Sequence, residues 1–141
     1  MNTITVLQTG TPLTIANQTP RSNTGGGDRP NILADPRLPS DQRTLTRWFN
    51  TSVFVPQPIN TWGNAGRSIL SGPGKIGVDL SLHREFSITE STRLQFRAEA
   101  FNISNTPPLG NPNTNLGNPA FGSITSAGLP RNIQLALKLL F

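Results

Sequence analysis

The sequence predicts an all-β fold, and three observations carry that reading. Residues 76–88, 93–103 and 131–141 alternate apolar and polar side chains with period two, which is the spacing of a half-buried strand. Thirteen Gly and thirteen Pro lie among 141 residues, and both are poor in helix interiors. No apolar run approaches the roughly 18–20 residues of a spanning helix, and no stretch of length reads as an amphipathic helix.

Ile76–Ile88 is the clearest element. Ile76, Val78, Leu80, Leu82, Phe86 and Ile88 share one face, interrupted only by Arg84. Gly77, Asp79, Ser81, His83, Glu85 and Ser87 share the other. A second strand follows, with Leu94, Phe96, Ala98 and Ala100 on one side and Arg93, Gln95, Arg97 and Glu99 on the other. A loop of Glu90–Thr92 would pair Ile88 with Leu94, Phe86 with Phe96, Glu85 with Arg97 and His83 with Glu99. A one-residue shift would set apolar against polar along the whole pair, so parity favours this register.

The last strand spans 131–141, with Ile133, Leu135, Leu137, Leu139 and Phe141 in one row. A flat apolar row ending in an exposed aromatic is an aggregation edge in water, so this face is expected to meet a second sheet, a helix layer or lipid. Residues 2–15 read as a weaker strand, because alternation slips near Leu7 and Pro12 favours an edge or an exit. Between the strands lie two segments, 17–75 and 104–130, rich in Asn, Thr, Gly, Pro and Ser. Both far exceed the usual loop of about 4–6 residues. Ser40–Asn50 can hold a helical turn or two, with Ser40 as N-cap.

About four long strands with one apolar face need a cover that the chain does not supply. They cannot close a barrel, since about eight strands is the smallest common number. The expected unit is therefore a piece of a larger sheet. Strand lengths, faces and the alternation of a tight turn with long loops match a partial outer-membrane β-barrel with two long extracellular-type loops. The turn at Glu90–Thr92 would be periplasmic. Arg84 is the residue out of place on the apolar face, to be explained by a bulge near His83–Glu85 or by snorkelling. A soluble β-sandwich that uses its long loops for glycan or protein recognition is the alternative reading. It requires Leu82, Leu135 and Leu137 to bury one another.

Composition excludes several chemistries. With no Cys and a single His, there is no thiolate nucleophile, disulfide framework, Cys-ligated metal or His-rich site. No cofactor is expected, and the chain is read as a non-enzyme. The net charge of +5 arises from scattered Arg and Lys, so nucleic acid is not the expected partner. Met1 to Gln8 lack the basic start and apolar core of a signal peptide. Gly25–Asp28 lacks the Lys and Ser/Thr of a phosphate-binding P-loop. Asp28 before Arg29-Pro30 is expected to fix the exit from that turn. His83 with Glu85 or Glu99 reads as a polar lumen cluster, as does the pair Glu85 and Arg97. Trp48 and Trp62, with Phe49, are candidates for ligand contacts in the loops or for packing inside a folded loop.

Longer strings add a resemblance. They are GGGDRPN (Gly25–Asn31), LPSDQRTLTRWFNTSVF (Leu38–Phe54) and GNAGRSILSGPG (Gly63–Gly74), then VDLSLHREFSITESTRLQFRAEAFNISN (Val78–Asn105) and NPAFGSITSAGLPRNIQLALKLLF (Asn118–Phe141). Together these resemble the C-terminal end of TonB-dependent, Oar-like outer-membrane receptors, many with a carboxypeptidase-regulatory-like N-terminal domain. The resemblance implies the last strands of a barrel of about 22. It implies solute uptake driven from the inner membrane through a plug, and a bacterial outer-membrane location. It also implies that Ile133, Leu135, Leu137, Leu139 and Phe141 are read by the barrel-assembly machinery. The implied partners are outer-membrane lipid, the remaining strands and plug of the same receptor, and the TonB-type energy-transducing system. No plug or TonB-contacting segment is recognisable in this sequence, so the chain is not expected to transport alone.

Overall fold

The computed structural model describes residues 1–141. The chain divides into two compact units. The sheet unit comprises Met1–Thr9, Gly74–Pro108 and Ala127–Phe141. The loop unit comprises Gly10–Pro73 and Leu109–Ser126.

The sheet unit is a single open sheet of four long strands. These are β1 (Asn2–Gln8), β2 (Lys75–Ser87), β3 (Arg93–Phe101) and β4 (Asn132–Leu140). They lie side by side in chain order, every neighbour antiparallel. Period-two patterning explains the strands, since each successive side chain turns to the opposite face. Register places Leu80, Ala100 and Ile133 in one cross-strand row, and Leu82, Ala98 and Leu135 in the next. Such rows make one face of β2, β3 and β4 apolar, interrupted only by Arg84.

The sheet departs from expectation in four places. The β2–β3 register is displaced by two residues, so Phe86 faces Leu94 and Arg84 faces Phe96. The turn therefore takes five residues, Ile88 to Thr92, rather than three. Thr92 closes it, for its carbonyl accepts from Ile88 N–H at 2.9 Å and Thr89 N–H at 3.1 Å. The Thr89 hydroxyl in turn accepts from Thr92 N–H at 3.0 Å. A two-residue displacement preserves the faces, which is why patterning alone does not distinguish the two registers.

The first strand stops at Gln8 instead of continuing to residue 15. Beyond it, Pro12–Leu13 pairs with Leu70–Ser71, and Ala16–Asn17 pairs with Asn115–Leu116. Strand β3 ends at Phe101, before the expected residue 103, because Asn102 has φ 51°. Asn tolerates this left-handed conformation better than most residues. Its side-chain oxygen then accepts from Thr106 N–H at 3.1 Å, which fixes the departing chain. Finally, the β2–β3 pairing runs without interruption from Leu80 to Ser87, so no bulge re-aims Arg84.

The loop unit has its own core of Leu13, Ile15, Phe49, Val53, Phe54 and Leu70. Phe49, Phe54 and Phe121 form a ring of edge-to-face contacts with centroids 5.3–5.9 Å apart. The two long connecting segments are knitted together by backbone bonds. Trp48 N–H donates to the Gly122 carbonyl at 2.9 Å, and Ile124 N–H donates to the Leu45 carbonyl at 2.7 Å. Only single 3-10 turns are helical, at Ser40–Gln42 and Thr51–Val53. Ser40 is not a cap: Pro39 occupies that position and makes no side-chain bond. Asn50 caps the second turn, accepting from Ser52 N–H at 3.3 Å.

Candidate functional site: two faces of a barrel wall and a folded loop unit

The apolar face of the sheet lies open. Leu135 and Leu137 are each 70% exposed and Leu82 is 44% exposed. The mutual burial that a β-sandwich requires is absent. Among its apolar residues sits Arg84, whose guanidinium carbon lies 5.3 Å from the centroid of Phe86. Arg84 is three residues from the end of β2 at Ser87, roughly 10 Å along the strand. A cation stacked on an aromatic that close to a strand end can keep its head at an interface while its stem stays apolar.

The opposite face carries a polar ladder. Gln95 Nε2 donates to Glu85 Oε1 at 2.9 Å. His83 Nε2 lies 3.7 Å from the same carboxylate oxygen, and Arg97 lies 4.0 Å from Glu99. The expected Glu85–Arg97 pair is thus corrected by the register, which sets Glu85 opposite Gln95 and Arg97 opposite His83. Glu85 and Arg97 are diagonal neighbours on one face and each has a different partner. His83 and Glu99 are likewise not opposite one another.

Strand β1 changes the character of this polar face. Ile4 stands opposite Asp79 and Val6 opposite Gly77, both on the side of Glu99 and Phe101. The result is a groove of about 450 Å³, lined in part by Val6, Gly77, Phe101 and Leu129. Asp79 lies in its wall, with its carboxylate accepting from Asn102 N–H at 2.8 Å. The slipped alternation near Leu7 is the sequence trace of this two-sided strand.

In the loop unit the turn at Gly25–Asp28 is held from within by Asp28, as expected. Asp28 is fully buried. Its carboxylate accepts from the Arg21 N–H, from Ser22 N–H at 2.6 Å, from the Ser22 hydroxyl at 2.5 Å and from Gln57 Nε2 at 3.3 Å. The Ser22 hydroxyl, followed by the Arg21 N–H, holds this carboxyl below the usual carboxylate range, against the opposing effect of burial. Asp28 so fixes the turn from residue 21 onward. Gln57, which sequence reading passed over, is also fully buried and accepts from Asn17 Nδ2 at 2.5 Å.

The two tryptophans separate. Trp62 is 66% exposed and forms no part of the core. Trp48 packs against that core, its Nε1–H donating to the Ser71 carbonyl at 2.9 Å. The Arg43 guanidinium sits 5.5 Å from the centroid of its ring. A cavity of about 220 Å³ opens beside this pair, reaching Arg37, Ser68 and Ser71. Arg43, Ser68 and Ser71 gave no pattern of their own in the sequence, for they meet only through the pairing of residues 12–13 with 70–71 and the fold around Trp48. Phe49 is buried packing rather than a ligand contact.

No cluster of His, Cys, Asp or Glu in the structure could hold a metal ion. No helix is long and apolar enough to cross a membrane, which leaves crossing by strands untouched. An open antiparallel sheet with one apolar and one polar face, joined by long loops at one end and a short turn at the other, is a segment of barrel wall. A family model described as "Outer membrane beta barrel domain" matches residues 1–134. The chain belongs to that family, which points to an outer-membrane location. Neither a curated protein nor a solved structure gives a match to the chain.

Proposed function

We propose that the protein is the C-terminal portion of a TonB-dependent, Oar-like receptor barrel, contributing wall and extracellular loops to solute uptake. It is not active alone and is not an enzyme. The observation that carries this reading is the uncovered apolar face of β2, β3 and β4, backed by a charged face. Lipid is the natural cover for the first and a wet lumen for the second. The receptor assignment rests further on the resemblance of the RLQFRAEAFN (Arg93–Asn102) and FGSIT…PRNIQLALK…F (Phe121–Phe141) blocks. In this reading the remaining strands and plug of the receptor complete the barrel, and the TonB-type system acts through the full-length protein. Ile133, Leu135, Leu137, Leu139 and Phe141 present the alternating row that the barrel-assembly machinery reads.

Two experiments test it. The four-stranded sheet should form in detergent micelles and not in plain buffer, followed by circular dichroism. A monodisperse, cooperatively melting monomer without detergent would count against the wall reading. For the receptor reading, the genomic frame upstream of the Met1 codon should run on through further alternating strands and a plug. A stop codon close upstream would oppose it.

A further inference from the structure

We infer that the cavity beside Arg43 binds a small hydroxylated carboxylate of the sugar-acid class. The site lies wholly within the loop unit, so it stands on that unit's fold and not on transport.

Its walls combine three features. The first is an uncompensated cation. Arg37 holds Asp35 in a two-point contact, Nε to Oδ1 at 3.0 Å and one terminal nitrogen to Oδ2 at 3.1 Å, and so brings little net charge. Arg43 pairs with no carboxylate in the protein. Its Nε–H donates to the Leu38 carbonyl at 2.9 Å, which leaves the two terminal nitrogens for an acceptor. The second feature is rigidity. Trp48 is anchored by its bond to Ser71, and Arg43 is laid over its ring. The guanidinium is thus held in place before any solute arrives. The third is a pair of serines in the lining. Ser68 N–H donates to the Thr14 hydroxyl at 3.0 Å and the Ser71 carbonyl accepts from Trp48. Both serines engage the fold through backbone atoms, and neither hydroxyl takes part in those bonds.

These features select the ligand. A guanidinium fork matches a planar carboxylate with two parallel N–H bonds. One unpaired positive charge balances a monoanion better than a phosphate ester carrying about −1.5 to −2. A cavity of about 220 Å³ is smaller than the roughly 300–1,000 Å³ that takes a drug-sized molecule, so it fits a single small ring. Ser68 and Ser71 supply donors and acceptors for ring hydroxyls.

The test uses Trp48 as reporter. Trp62→Phe removes the only other indole without touching the cavity. The full chain, folded in detergent, is titrated with sodium glucuronate, sodium acetate, glucose, sodium sulfate and sodium phosphate while tryptophan emission is followed. Saturable change with glucuronate is expected, and none with glucose. Arg43→Gln should weaken binding at least about tenfold. Arg43→Lys keeps a charge and a stem but loses the fork, and should also weaken it. Circular dichroism establishes that each variant remains folded. Ser68→Ala with Ser71→Ala should leave acetate binding unchanged while reducing that of glucuronate. The inference is overturned by an unresponsive Trp48 in folded protein up to roughly 50 mM glucuronate, well above a millimolar Kd. Equal responses to glucose, sulfate or phosphate would overturn it too, as would undiminished binding in folded Arg43→Gln.

Discussion

Phe49 and Phe121 meet edge to face, their centroids 5.3 Å apart at an interplanar angle of 75°. One residue comes from each of the two long connecting segments, so the contact welds two stretches that look like independent loops into one core. Phe49 is fully buried. Phe49→Ala removes it from both Phe54 and Phe121 and should cost the loop unit about 3–5 kcal/mol. Urea unfolding followed by Trp48 emission checks this. A midpoint unchanged from the parent protein would mean the core does not form.

Asp28 predicts an acid response. Its folded-state carboxyl lies below the ordinary value of 3.8, chiefly through the Ser22 hydroxyl and the Arg21 N–H. A depressed carboxyl contributes stability that is fully present above the unfolded value and is lost as pH falls through the folded one. The loop unit should therefore hold at neutral pH and weaken once the pH drops below about 4. Asp28→Asn should be less stable than the parent at neutral pH and lose that part of the acid dependence. Thermal melts of both proteins across the acid range would read the difference.

Gly10 allows a close approach. A Cβ at this position would collide with the backbone carbonyl of Gly72, where the chain passes into the Pro12–Leu13 pairing with Leu70–Ser71. Backbone cannot swing aside as a flexible side chain can. Gly10→Ala should destabilise the loop unit by about 1–3 kcal/mol, whereas Gly26→Ala, at a tip with nothing near it, should be close to neutral. Parallel denaturant titrations of the two variants make the comparison.

The assignment of faces can be tested on β4. Leu135 stands opposite Ala98 in the central row of the apolar face, and Ala136 stands opposite Arg97 on the polar one. If lipid covers the first face, Leu135→Arg should cost about 2–4 kcal/mol near the bilayer midplane. Ala136→Arg should change stability much less. Unfolding from lipid bilayers distinguishes them, and similar costs at both positions would refute the lipid assignment.

Much of the sheet was legible because period two is a local property. Leu80, Leu82, Ala98 and Leu135 declare their face from their neighbours in sequence, and the tight turn declares which strands pair. The two-residue displacement of register was not legible, because both registers keep the faces and the choice lies with Thr89 and Thr92 in the turn. The short first strand was only half visible: Pro12 signalled an exit, but the close approach of Gly10 to Gly72 is a long-range fact. The core of the loop unit was hidden for the same reason. Phe49 could be singled out for packing inside a folded loop, but its partners Ile15, Leu70 and Phe121 sit in Asn-, Thr- and Gly-rich surroundings with no periodicity. Trp48 could be singled out from the sequence as a candidate contact, but its partner Arg43 and the serines beyond could not.

The four strands of the sheet alternate in direction, and four is even. Strand β1 and strand β4 therefore run opposite ways at the two outer edges. A block with that parity can be spliced into a closed antiparallel wall without ever forcing two parallel neighbours. Its insertion or loss changes the circumference of the wall by four strands and leaves the direction of every other strand unaltered. A three-stranded block would reverse the orientation of all that follows it. Parity makes this sheet a modular unit of barrel size, whose gain or loss is topologically silent for the rest of the wall.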